Sequence, residues 1–282
     1  MSTRCRAAVR LLPIVLLIAL VVGPSGSSAG TTATIAGDLQ SELGCPGDWQ
    51  PDCALTDLTA VDGGFLGTFS PPAGSYQYKV ALNHSWDENY GAGGVRDGGN
   101  VSLAAPGGPV HFAYDSTTHW IGDSVNGEIV TAPGSYQSEL GCAGDWDPSC
   151  LKSWLETGAN GVYSMSTTAL PVGNYEAKAA LNGSWDVNYG AGGQPGGANI
   201  QFSVTKPGQL ILFSFDSHTN VLTIKAGHAH DDNVEWDGLR FDSRDTLYRT
   251  PQGAVPTGTP VTLRFRTFHD DVTGVTLRDY SV

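Results

Sequence analysis

Positive charge is scarce in this chain. Fifteen Lys and Arg stand against 28 Asp and Glu, a formal net charge of −13. Three of those cations, Arg4, Arg6 and Arg10, crowd the N-terminus, so the remainder carries 12 − 28 = −16. Such a surface repels phosphate backbones and anionic lipid, which excludes nucleic acid and membrane as partners. Long apolar runs are also lacking after Val22, so no later segment is suited to cross a bilayer. Helical periodicity is sparse, and there is no G-x-S-x-G elbow, no P-loop and no G-x-G-x-x-G.

The apolar stretch that does exist, Leu11 to Val22, follows the basic cluster and precedes small residues from Gly23 to Gly30. That order predicts a secretory signal peptide over 1–29 and a secreted, extracellular chain; an uncleaved membrane anchor is the competing reading. Cysteine is almost as rare. Apart from Cys5 in the leader, the four fall as two pairs with identical spacing, Cys45 with Cys53 and Cys142 with Cys150. In an exported chain this predicts two local disulfides, each closing a short loop worth about 2–3 kcal/mol. Zinc is disfavoured because neither segment has a nearby His or a two-to-four-residue knuckle.

Internal repetition dominates what remains. Gln40-Ser-Glu-Leu-Gly-Cys-Pro-Gly-Asp-Trp49 recurs as Gln137-Ser-Glu-Leu-Gly-Cys-Ala-Gly-Asp-Trp146, and Leu82-Asn-His-Ser-Trp-Asp-Glu-Asn-Tyr-Gly-Ala-Gly-Gly94 recurs as Leu181-Asn-Gly-Ser-Trp-Asp-Val-Asn-Tyr-Gly-Ala-Gly-Gly193. The offset grows from 97 to 99 to 101 residues, a period of domain size and too long for a solenoid unit. Modules are expected at 36–125 and 133–226. Alternation at Tyr76, Tyr78, Val80 and Leu82, and at Tyr175, Ala177, Ala179 and Leu181, predicts half-buried strands. Val110–Tyr114 and Gln209–Phe215 read as further strands that turn at Asp115 and Asp216 into His119–Ile121 and Val221–Ile224. One short helix is expected after Asp147 and Pro148, with Leu151, Trp154 and Leu155 sharing a face. The fold class is thus all-β: two tandem small β-sandwiches, followed from 228 to 282 by a partial immunoglobulin-like β domain with strands at Val261–Thr267 and Val275–Arg278.

The repeated Trp-Asp-x-Asn-Tyr-Gly-Ala-Gly-Gly loop is the candidate site. A sugar ring presents an apolar C–H face bordered by hydroxyls, so an aromatic ring beside amide and carboxylate groups suits it. Trp86, Asp87, Asn89 and Tyr90 supply that set in the first copy, and Trp185, Asp186, Asn188 and Tyr189 in the second. The structural alternative is a loop folded over the sandwich end, with Trp as a plug. Trp49 and Trp146, inside the cysteine loops, read as packing against the disulfides. Asp87 and Glu88 do not make a glycosidase pair, because the second copy has Val187. His228-Ala-His-Asp-Asp-Asn233 falls one residue short of H-x-H-x-D-H, so a metal site is not expected. No catalytic residue and no cofactor is assigned, and calcium is left open. Asn83, Asn100 and Asn182 begin Asn-x-Ser sequons, which matter only in a glycosylating host.

The repeated QSELGCxGDWxPxC…SWDxNYGAGG…GGxNI blocks resemble the small tandem β modules beside the catalytic domain of bacterial pullulanases and amylopullulanases. Val234-Glu-Trp-Asp-Gly-Leu-Arg-Phe-Asp-Ser-Arg-Asp-Thr-Leu-Tyr-Arg249 and the later Val-Thr-Leu-Arg-Phe-Arg-Thr run resemble the start of the immunoglobulin-like domain preceding the barrel in the α-amylase superfamily. The resemblance implies a non-catalytic, α-glucan-binding N-terminal region, monomeric and fused to a barrel that this sequence does not contain. The competing expectation is a disulfide-stapled spacer with no glycan affinity.

Overall fold

The structure, a computed structural model, describes residues 31–157, 159–226, 239–267 and 274–276. The leader at 1–29, the His228–Asn233 run and Trp236 lie outside the described residues. The chain is all-β, and among the described residues no helix is long and apolar enough to cross a membrane.

The first copy contains β1 (Ala33–Gly37), β2 (Thr59–Val61), β3 (Gly64–Phe69), β4 (Gly74–Leu82), β5 (Asn89–Gly91), β6 (Val95–Arg96), β7 (Val101–Ala105), β8 (Val110–Asp115) and β9 (Ile121–Asp123). One sheet runs β1-β4-β5-β6 with β7 also on β4, and the other runs β2-β3-β8-β9, all antiparallel. The alternation holds over 77–80, where Tyr78 and Val80 are fully buried while Gln77 faces solvent, and lapses at Ala81, which is fully buried with its neighbours between the flanking strands β1 and β5. Tyr78 crosses the sandwich to meet Phe112 edge-on at 5.2 Å, and its hydroxyl donates to Asp123 at 2.7 Å.

The second copy contains β10 (Val130–Thr131), β11 (Trp154–Thr157), β12 (Val162–Thr167), β13 (Gly173–Ala177), β14 (Ala179–Leu181), β15 (Asn188–Tyr189), β16 (Ile200–Val204), β17 (Ile211–Asp216) and β18 (Val221–Ala226). Its core repeats the first, with Tyr136, Phe213 and Phe215 buried between the sheets. Here β10 pairs with β11 through Val130↔Leu155 and Thr131↔Trp154, which joins the two sheets along one edge. In the first copy that junction is the single bridge Thr34↔Asp57.

The disulfides form as the spacing predicts. Cys45 bonds to Cys53 and Cys142 to Cys150, with Cα–Cα separations of 6.0 and 6.1 Å. All four cysteines are buried, with Cys53 at the start of one 3-10 turn, Ala54–Thr56, and Cys150 at the start of its counterpart.

Two local expectations need correction. The helix after Asp147 is only one 3-10 turn, Leu151–Ser153, preceded by an extended Cys150 (φ −70°, ψ 106°) and followed at once by β11. Asp147 does cap, but it closes a turn, accepting from the Ser149 N–H at 2.8 Å. A disulfide residue held extended leaves no room for a second helical turn, so Trp154 and Leu155 enter a strand. Cys53 is extended in the same way (φ −77°, ψ 99°), and the first copy likewise has no helix there. In the tail, the run from Val261 to Thr267 contributes only β20 (Thr262–Leu263), paired with β19 (Arg249–Thr250), plus an Arg240↔Arg266 bridge. No strand occurs at 274–276.

The copies meet through a small apolar core of their own. Ala113, Ile129, Leu151 and Trp154 are buried there, with Val61, Leu66 and Trp120 packed against them. A Cβ added at Gly122 would lie 2.8 Å from Cζ2 of Trp154, and one at Gly183 would lie 2.5 Å from Cδ1 of Leu66, so glycine at both positions permits the close approach. The Leu151 N–H donates to Asp62 O at 2.8 Å and the Ala143 N–H to the Asp62 carboxylate at 2.6 Å. The tail joins this assembly at Glu156. Arg266 donates to the carbonyls of Glu156 and Ser164. Burial raises the Glu156 carboxyl above its ordinary range, opposed by a hydrogen bond from Thr118 and by the Arg266 charge.

Trp154→Ala should cost about 3–5 kcal/mol of stability, as expected for emptying a buried tryptophan site, read from urea unfolding; an unchanged midpoint would refute the wedge. The second copy also reaches the first electrostatically. Burial lowers the His111 pKa, and the Asp186 charge pulls it back up. Asp186→Asn is therefore expected to lower the His111 pKa further in an NMR titration, and no change would separate the two groups.

Candidate functional site

Each candidate loop leaves the end of a strand through two left-handed residues. These are Asn83 and His84 (φ 55° each) in the first copy and Asn182 and Gly183 (φ 57° and 67°) in the second. The Leu82 N–H donates to Glu88 O at 2.9 Å, and the Leu181 N–H to Val187 O at 2.9 Å, closing the same loop twice. Inside it the Asp87 and Asp186 N–H groups donate to the Ser85 and Ser184 hydroxyls at 3.1 and 3.0 Å. Asn89 Nδ2 donates to the Trp86 carbonyl at 3.1 Å and Asn188 Nδ2 to the Trp185 carbonyl at 2.9 Å. Lys79 and Lys178 donate to the Oδ1 atoms of those asparagines at 3.2 and 3.4 Å, which fixes the amide orientation. A lysine thus orients an asparagine, and the asparagine holds the tryptophan peptide.

The outcome is two exposed indoles. Trp86 and Trp185 each keep 38% of their surface accessible, an unusual cost for so large an apolar ring. Asp87 and Asp186 are exposed beside them. Asn89 and Tyr90, in contrast, are only 6% and 5% exposed. Tyr90 stacks on His119 at 4.0 Å, lies 5.8 Å from Tyr114, and donates to the Glu88 carboxylate at 2.8 Å. Asn188 and Tyr189 are half-buried, with Tyr189 6.1 Å from Phe215. The motif therefore divides into residues that face outward and residues that build the loop.

The loops closed by Cys45 with Cys53 and by Cys142 with Cys150 add a feature that sequence reasoning treated as packing. Gln40 and Gln137 are fully buried at the root of these loops. Each amide accepts from the N–H and donates to the carbonyl of one residue ten positions on, Gln50 or Asp147, all at 2.8 Å. Asp48 and Asp145 accept from the Ser41 and Ser138 N–H groups at 2.9 and 2.8 Å. The next residue, Trp49 or Trp146, is then left-handed (φ 56° and 62°), a strained conformation for a bulky side chain, costing about 1–3 kcal/mol. Both are half-buried, and the Trp49 and Trp86 rings lie 6.4 Å apart at 37°. The Gly-Asp-Trp string in both copies was the available signal for this second indole. Among the described residues no three His, Cys, Asp or Glu side chains are grouped to hold a metal.

The family model of the pullulanase X25 domain matches this chain twice, over residues 32–121 and 129–222. Among curated proteins, the amylopullulanases of Thermoanaerobacterium saccharolyticum and Thermoanaerobacterium thermosulfurigenes are each 35% identical to it, over 262 and 264 residues, 88% of this chain. The chain spans only 20% and 14% of their lengths. Among solved structures, a pullulanase from Bacillus acidopullulyticus aligns over 70% of this chain and 28% of its own, with 18% identity and a TM-score of 0.32. SusF from Bacteroides thetaiotaomicron aligns over 75% of this chain and 50% of its own, with 13% identity and a TM-score of 0.25. The repeated strings and both matched spans agree: this chain belongs to the pullulanase X25 domain family, carries two tandem copies of that domain, and corresponds to an accessory region of the amylopullulanases it matches.

Proposed function

We propose that this chain is the non-catalytic, α-glucan-binding N-terminal region of a secreted amylopullulanase-type glycoside hydrolase. The observation that carries the reading is the repeated exposed tryptophan, held by the same Lys–Asn–carbonyl relay in both copies. An indole held outward against the hydrophobic effect offers a flat apolar face to a sugar ring, while the neighbouring Asp87 or Asp186 accepts hydrogen bonds from ring hydroxyls. Trp49 extends the first platform, and Trp146 occupies the equivalent position in the second. Asn89, Tyr90, Asn188 and Tyr189 act through the loop they support. The acidic surface suits a neutral polymer. Starch, pullulan and glycogen are the substrates that fit, and the two disulfides fit an extracellular, monomeric protein joined to a catalytic barrel.

Two sites on one chain make the second contact intramolecular, which multiplies polymer affinity by about 10²–10⁴ when the spacing fits. A spacer role with no glycan affinity is the second reading, favoured by the apolar wedge that fixes one copy against the other.

Electrophoresis in native gels containing amylopectin separates the two. Retardation of the parent chain is expected, reduced by Trp86→Ala or Trp185→Ala and reduced furthest by the pair together, with near-ultraviolet circular dichroism outside the lost indoles unchanged. Each single change should weaken binding at least about 10-fold, since central aromatic anchors carry about 2 kcal/mol or more. A parent chain that migrates freely would leave the spacer.

A further inference from the structure

A cleft of about 800 Å³ opens between the first copy and the tail. It falls within the usual range of ligand pockets, about 300–1,000 Å³. One wall is the glycine-rich loop of the first copy, and the facing wall carries Arg264. A Cβ added at Gly93 would lie 2.4 Å from the Arg264 guanidinium, whereas the equivalent Gly192 of the second copy has nothing within 4 Å. The cleft is therefore particular to the first copy. Repetition in the sequence does not predict it.

Its polar lining is incompletely paired in both senses. Trp120 lines the cleft with its indole ring, while its Nε1–H is enclosed behind that surface. Among the described residues the half-buried Arg264 guanidinium has no protein partner. The guanidinium is the donor open to a ligand in the cleft. Acceptors open to a ligand line the same cleft. Asn126 spends its Nδ2 on Ser102 O and the Asp123 carboxylate at 2.8 and 2.7 Å, and Asn100 donates to Gln77 at 2.8 Å, so each keeps a free amide oxygen. The Glu128 carboxylate is likewise unpaired among the described residues. A ligand that both accepts and donates, and has an apolar face for the indole, satisfies all of these; a polyhydroxylated ring does so, while an anion is repelled by Glu128 and Asp245.

We propose that this cleft is a third saccharide site, assembled jointly by the first copy and the tail, that takes a short α-glucan segment. The choice of saccharide rests on the glucan reading above; the existence of the cleft does not. The tail thereby becomes part of a binding surface, and its contribution is lost from an isolated first copy.

Gly99 gives the means of testing it. It lines the cleft, has nothing within 4 Å of an added Cβ, and does not need the left-handed conformation, so a leucine fits there and fills the space. Isothermal titration calorimetry of the full chain with maltoheptaose is the measurement. Trp86→Ala/Trp185→Ala should still bind one maltoheptaose per chain, and adding Gly99→Leu or Arg264→Ala should weaken that residual binding at least tenfold. If the double tryptophan variant binds nothing while the parent binds, or if its residual binding ignores both further changes, the cleft proposal is overturned and the exposed platforms stand. If instead the tryptophan changes have no effect and Gly99→Leu removes the heat, the platforms fail and the cleft stands. A parent chain that gives no heat overturns both.

Discussion

Trp154 is the residue on which the arrangement of this molecule depends. Each copy is a sandwich of roughly ninety residues, a size at which the surface buried on folding leaves little stability in reserve. The second copy adds to its own core by sending Trp154, 5% exposed, out of β11 and against the sheet of the first. Its backbone meanwhile pairs with Thr131, joining the two sheets of its own sandwich. The one residue therefore closes an edge and fastens two domains. Contacts of that kind turn a flexible tether into a fixed angle. A defined angle also sets the spacing between the two exposed indoles, Trp86 and Trp185.

The tryptophans divide along this line. Those that recur in both copies, Trp49 with Trp146 and Trp86 with Trp185, stand at loop crests and keep solvent contact. Of those without a counterpart, the two among the described residues, Trp120 and Trp154, meet at the junction between copies. Duplication explains the difference physically. A feature needed by every copy for its own task repeats, whereas a contact between copies uses one face of the first and the opposite end of the second, so its residues diverge. Asp57 holds the position of Trp154 in the first copy, and there it takes hydrogen bonds from Thr34 at 2.6 Å and His84 at 2.8 Å. A charged, solvated end suits a copy that has no neighbour on that side among the described residues.

Much of this was legible in the residues. The strands followed from alternation at 76–82 and 175–181, although the second run divides into β13 and β14 in different sheets, and the disulfides followed from the matched spacing of Cys45 to Cys53 and Cys142 to Cys150. The relation of Asn89 and Tyr90 to solvent was not legible, since a Trp-Asp-x-Asn-Tyr string reads the same whichever side chains turn inward. That choice is made by Lys79, His119 and Tyr114, which lie 10 to 29 positions away. The helix expected after Pro148 failed for a local reason, the extended Cys150, that competes with an otherwise good capping pattern.

The two candidate loops are chemically alike but differently placed, and the difference follows from the same wedge. Seating Trp154 on the first copy brings Gly183 over Leu66 and Asp186 within electrostatic reach of His111. A side chain at position 183 as large as the His84 of the first copy would strike Leu66, so glycine there is a consequence of docking. Among the described residues the first loop has no second sandwich against it and instead has Arg264 of the tail beside its glycines. Near-identical sequence motifs thus acquire distinct neighbours, which add to the differences within the motif itself, Glu88 against Val187 and His84 against Gly183.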